Sequence, residues 1–176
     1  MKTLVIVCTA CLIIAACSSN EELSREEALR QIQQDKQYPK VIDYDIYRSD
    51  PEFARAVLDA GLEKEGLVTV QRTQKLADIG EPLIEFTDKA KPYMLPTSDE
   101  DRKMDIQKVK IADEELVEVT GIQTMGDGKQ ATAEYTTAYK NISDFSALTK
   151  TNYNQTATYK AYFMLYDNGW RLQKEQ

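Results

Sequence analysis

Gln130-Ala131-Thr132-Ala133-Glu134-Tyr135-Thr136-Thr137-Ala138-Tyr139-Lys140 and the run from Thr156 to Gln173, TATYKAYFMLYDNGWRLQ, decide the fold. Both alternate small or apolar residues with polar ones, the period of a strand with one face buried. In the first, Ala131, Ala133, Tyr135, Thr137 and Tyr139 lie on one side, and Thr132, Glu134, Thr136 and Lys140 on the other. In the second, Ala157, Tyr159, Ala161, Phe163 and Leu165 share a face. Asp167-Asn168-Gly169 breaks the run as a hairpin, and Asn168-Gly169 suits the positive-φ pair of a type I′ turn. That turn sets Tyr166 opposite Arg171 and Leu165 opposite Leu172. Trp170 and Leu172 then extend the Phe163/Leu165 face, which is expected to be core.

The opposite face carries Lys160, Tyr162, Met164, Tyr166 and Arg171. A face in water should be polar, and this one is half aromatic. Two readings stand: a ligand or partner surface, with Arg171 over Tyr166 as a cation–π pair, or the surface on which the first half of the chain packs. Ala131, Ala133, Ala157 and Ala161 lower the side-chain volume on the core face, leaving room for helices or for an apolar ligand.

Outward from these strands the pattern stays β back to Met104. Strands are expected at Ile106 to Ala112, Leu116 to Thr124, Gln130 to Asn141, Thr156 to Tyr166 and Trp170 to Gln173, with Gly126-Asp127-Gly128 as a turn. The meander resembles the curved sheets of nuclear-transport-factor-like or cystatin-like proteins. Upstream, Ser24 and Glu27 form a capping box, with Leu23 and Ala28 as a staple, and open a helix to about Gln37. Ile42, Tyr44 and Ile46 alternate as a strand. Ser49-Asp50-Pro51-Glu52 starts a second helix with an apolar stripe of Phe53, Ala54, Val57, Leu58 and Leu62. Leu67 to Arg72 and Pro82 to Thr87 read as two strands. The expected class is α+β: a helical and small-sheet half at 24–96, a linker at 97–103, and an antiparallel β half at 104–176.

Residues 58–90 resemble part of a winged-helix domain: Leu58 to Leu62 as helix, Gly66 to Val70 and Ile84 to Ala90 as wing and exit. Residues 20–96 hold 11 basic against 16 acidic residues, a net of −5, so the resemblance implies packing without DNA reading.

Composition narrows function further. The 176 residues carry 22 Lys+Arg against 29 Asp+Glu, a formal charge of −7, and no histidine. That removes Ser-His-Asp and Cys-His catalysis and His-ligated zinc. Cys8, Cys11 and Cys17 are the only cysteines, so the chain after residue 17 makes no disulfide of its own. Glycosidase-like carboxylate pairs remain chemically open, but the Asp and Glu residues fall in turns, caps and exposed strand positions. No nucleophile elbow and no Gly-rich phosphate loop is present. The expectation is a protein that is not an enzyme, with no cofactor, no metal and no nucleic-acid partner.

Lys2 followed by the apolar stretch Leu4 to Ala16 matches a secretory signal, and is short for a membrane span of ~20 residues. It ends Ile14-Ala15-Ala16-Cys17, which resembles the lipobox of bacterial lipoproteins. The resemblance implies diacylglycerol transfer to Cys17, removal of the 1–16 signal peptide, acylation of the new amino terminus (palmitate is typical), and a tether at 17–23. Loss of Lys2 with the signal leaves a mature charge of −8. Such a body is expected to touch the membrane through the lipid alone. Ser18, where an Asp resembles an inner-membrane retention signal, favours the outer membrane, and Ser18 to Glu22 resembles the acidic export tags of Bacteroidetes surface lipoproteins.

The function expected is a lipid-anchored cell-envelope protein acting as a non-catalytic binding or accessory module for another envelope protein. Its partner face is Tyr162, Met164, Tyr166 and Arg171. The alternative is a carrier of an apolar ligand in a cavity between helix and curved sheet.

Overall fold

Ser24 begins the first element as its sequence requires. The computed structural model describes residues 22–76 and 79–174, and every element named here lies among them. Cys17 and the lipobox-like residues before it fall outside the described residues. The Ser24 hydroxyl accepts the Glu27 amide at 3.1 Å and caps α1 (Arg25–Lys36). The Glu27 carboxylate does not close the capping box. It binds Arg30 at 2.7 Å and Gln31 at 2.6 Å, because an arginine one turn on offers a charge-assisted bond. Leu23 and Ala28 are both buried, as a staple requires. Gln37, left-handed at φ 55°, ends the helix.

β1 (Lys40–Tyr47) buries Ile46 and half-buries Ile42 and Tyr44. α2 (Pro51–Asp59) is capped by Asp50, whose side chain accepts the Glu52 amide at 2.7 Å. β2 (Val68–Val70) and β3 (Ile84–Phe86) pair as a separate small hairpin. A 3-10 turn follows at Asp88–Tyr93 and runs through Pro92. Residues 97–103, expected as a linker, hold a short helix, α3 (Asp99–Lys103), closed by a full Ser98/Asp101 capping box. Three acidic side chains in its first turn favour this helix electrostatically.

The two strands expected at 106–112 and 116–124 are one, β4 (Ile106–Met125). Register shifts between Leu116 and Glu118 and between Val119 and Gly121 bend it without ending it. β5 (Gln130–Lys140), β6 (Ala157–Tyr166) and β7 (Gly169–Leu172) complete a curled antiparallel sheet in the order β1-β4-β5-β6-β7. The protein is α+β.

The last hairpin corrects one expectation. Tyr166 pairs with Gly169, Leu165 with Trp170 and Met164 with Arg171, so the two loop residues are Asp167 and Asn168. Gly169 takes the positive φ (106°) while Asn168 does not, so this is not a type I′ turn. A turn needing one left-handed residue places it on the glycine, which bears no Cβ penalty. The expected face assignment survives because each partner moves by two residues, an even slip that leaves side chains on the same side.

Two cores lie along the sheet. In one, Val57, Leu62, Leu67, Val68 and Ile84 pack on Val109 and Ile111 of β4, with Phe145 from a 3-10 turn at Asp144–Leu148. In the other, Leu23, Ala28 and Ile32 pack on Val119, Tyr135 and Phe163 over the alanines 131, 133 and 161. Both cross the boundary expected between the halves: β1 is sheet-paired to β4, and α1 lies on β4, β5 and β7. Arg48 joins them further, binding Asp105 at 3.1 Å, Glu85 at 2.9 Å and the Ile84 carbonyl at 3.2 Å.

β7 is a short edge strand, and an open edge invites pairing with other chains. Gln31 of α1 covers it. Its amide donates to the Trp170 carbonyl at 2.8 Å, and its carbonyl accepts the Leu172 amide at 2.9 Å, as a neighbouring strand would. Gln31→Ala is expected to cost about 1–2 kcal/mol, two half-buried hydrogen bonds, and to speed hydrogen exchange of the Leu172 amide. Unchanged exchange at Leu172 would refute the guarding role.

Candidate functional site

The alternation of β6 sends Ala161 and Phe163 inward, at 3% and 2% exposed, and Tyr162 and Tyr166 outward, at 51% and 44%. Among the described residues, the first half of the chain does not pack on this outer face. It lies instead against the N-terminal part of β4 and, as α1, on the opposite face of β5 to β7. The reason is local. α1 carries small and branched apolar residues that seat on the alanine-lined face, whereas tyrosines with a wet hydroxyl tolerate exposure.

Sheet register assembles the site from four strands. Met125, Gln130, Met164 and Arg171 form one row across β4, β5, β6 and β7. Gln123, Thr132 and Tyr162 form the next. Tyr162, Met164, Tyr166 and Arg171, singled out from sequence, therefore share one surface. The register adds Met125, itself 38% exposed. Sequence reasoning missed Met125 because it lies at the end of β4, whose bulges hide its phase. The Arg171 guanidinium lies 5.2 Å from the Tyr166 ring, diagonal to it rather than directly opposite. Among the described residues no carboxylate lies within 4 Å of that guanidinium. Lys160 faces Glu134 across the β5–β6 pair, so its charge has a neighbour of opposite sign.

A second polar cluster sits on the inner face between the two cores. Glu114 is buried and accepts the Thr137 hydroxyl at 2.8 Å. Tyr159 stacks on Tyr135 with centroids 5.6 Å apart, and the Glu114 charge acts on its phenol. Tyr159 was expected in the core. It lies on the core side but at its margin, 41% exposed. Tyr38 shares the buried cluster of Tyr135, and Lys40 lies over the Tyr38 ring at 4.6 Å. Sequence alone does not reveal this cluster, because β1, β4, β5 and β6 must pair before its members meet.

Burial first, then hydrogen bonding to Tyr135, pushes the Tyr38 phenol far above its usual range. Burial first, then the Glu114 charge, pushes Tyr139 and Tyr159 up as well. A phenol ordinarily ionises near pH ~10. Above that pH the folded chain holds more protons than the unfolded one, so this stabilisation is full below about pH 10 and is lost as pH rises. Phenolate absorbance should therefore lag behind ten free tyrosines and complete only as circular dichroism reports unfolding. Ionisation of all ten with the fold intact would contradict the burial.

Glu22 at the chain's entry, Thr124, Asp127 to Lys129, Leu165 and Trp170 line a shallow hollow of about 260 Å³. Among the described residues no cluster of three His, Cys, Asp or Glu side chains is placed to hold a metal, and no helix is long and apolar enough to cross a membrane. Compared with known protein families, with characterised proteins and with solved structures, the chain matches none.

Proposed function

We propose that this chain is a lipid-anchored protein of the bacterial cell envelope, held at the outer membrane through Cys17, and that it binds a partner protein on the uncovered face of its sheet without catalysing a reaction. The anchor rests on Lys2, the apolar stretch to Ala16 and the Ile14-Ala15-Ala16-Cys17 lipobox. The partner reading rests on one observation: Tyr162, Met164, Tyr166 and Arg171 stand together on an uncovered surface while α1 fills the other side. Tyrosine, methionine and arginine are the residues enriched where proteins meet, and tyrosine and arginine carry much of the binding energy there. The carrier alternative needs the volume over Ala131, Ala133 and Ala161, and Ala28 and Ile32 take that space.

Crosslinking the lipidated chain in intact cells tests this. The wild-type chain should capture a stoichiometric envelope protein, and Tyr162→Ala with Tyr166→Ala should lose it. The double variant should unfold within about 1 kcal/mol of wild type, as exposed sites do. Equal capture by both chains would overturn the partner face.

A further inference from the structure

We infer that the partner is an integral membrane protein, met beside the bilayer, and that it supplies a carboxylate to Arg171. This deepens the lipid-anchored reading above and rests on it. Cys17 and Glu22 are five residues apart, a reach of at most about 18 Å for a fully extended chain. Glu22 lies with Asp127 to Lys129, Leu165 and Trp170 around the hollow at one end of the sheet. The docking face is at that same end. Met125 immediately precedes the β4–β5 turn, and Tyr166 precedes the β6–β7 turn. The sheet is one layer thick here, so Glu22 and the docking face lie on opposite sides of the same strands. A short leash therefore holds this face near the lipid headgroups and keeps α2 and the β2–β3 hairpin away from them.

Chemistry favours protein over lipid as the occupant. Both turns at this end carry an acid, Asp127 and Asp167, beside Lys129, and residues 123–176 hold six basic against five acidic residues, so charge gives an anionic bilayer little hold on this end. The face itself mixes Gln123, Gln130 and Thr132 with its tyrosines and methionines, and these amides and hydroxyls need hydrogen-bonding partners that acyl chains lack. Arg171 has a ring beside it and no carboxylate within 4 Å among the described residues. A partner carboxylate would complete that pair.

The native methionines test the geometry. Met125 and Met164 lie at the docking end, while Met104, 57% exposed, lies beyond the opposite end of the long β4. The acylated full chain, methyl-labelled on methionine, is placed on nanodiscs of phosphatidylethanolamine and phosphatidylglycerol bearing a headgroup nitroxide. Met125 and Met164 should broaden severalfold more than Met104, and a soluble gadolinium chelate should still reach both. Equal broadening overturns the orientation. Loss of access to the chelate makes the bilayer itself the occupant and overturns the protein partner. In cells, a photo-crosslinker at position 162 should give an adduct that stays in carbonate-washed membranes and weakens severalfold with Arg171→Ala. An adduct with a soluble protein overturns the inference. Mass spectrometry of the Cys17 peptide separates the two levels. A chain without acyl groups removes the anchored reading itself, and an acylated chain with equal broadening removes this inference alone.

Discussion

Phe163→Ala is expected to lower unfolding free energy by about 3–5 kcal/mol, while Tyr162→Ala, one residue away, shifts it by less than about 1 kcal/mol. Phe163 is 2% exposed and lies between Ala131 on β5 and Leu172 on β7. The core around it includes four alanines, Ala28, Ala131, Ala133 and Ala161, beside larger side chains such as Ile32 and Tyr135. Alanines have no rotamer with which to refill a hole, so the cavity should persist and the cost should fall high in that range. Tyr162 points to the other side, is 51% exposed and leaves no cavity. Urea unfolding of both variants measures the contrast. A small loss at Phe163 with a large one at Tyr162 would mean that the sheet is packed with its faces reversed.

Cys17→Ala should abolish anchoring altogether. Without the sulfur there is no atom to receive the diacylglycerol, and cleavage before residue 17 follows lipid transfer in the proteins whose lipobox this resembles. The chain should accumulate with residues 1–16 attached or be mislocalised. The loss is large because each buried acyl CH2 contributes about 0.8 kcal/mol and several chains act together. Intact mass and membrane fractionation read the result. A variant processed and retained as wild type would exclude the lipid anchor, and the envelope reading would have to rest on the signal stretch alone.

Much of the fold was legible because strong local rules operate in single segments. The Ser24 and Asp50 caps, the alternation of β5 and β6, and the apolar stripe of α2 each depend on residues within a few positions of one another. The β4 bulges and α3 were not legible. A bulge shifts phase without a fixed composition, and five helical residues are too few to show a period. The candidate face was half legible. Tyr162, Met164, Tyr166 and Arg171 sit on one hairpin, so alternation alone groups them, whereas Met125 joins only through two further strands.

Taken alone, the sequence determined which side of each strand is apolar, where the helices begin, that histidine and thiol chemistry are missing after residue 17, and that a lipobox-like segment stands at the amino end. These are properties of composition and of neighbours along the chain. Tertiary structure alone decided which surface covers which. It laid α1 on the alanine-lined face and left the tyrosines of β6 open. It turned the Gln31 amide onto the β7 edge and gathered Glu114, Thr137 and Tyr159 from three strands. Each of these choices pairs residues far apart in the chain. Their energies depend on shape and hydrogen-bond geometry that exist only once the sheet has curled.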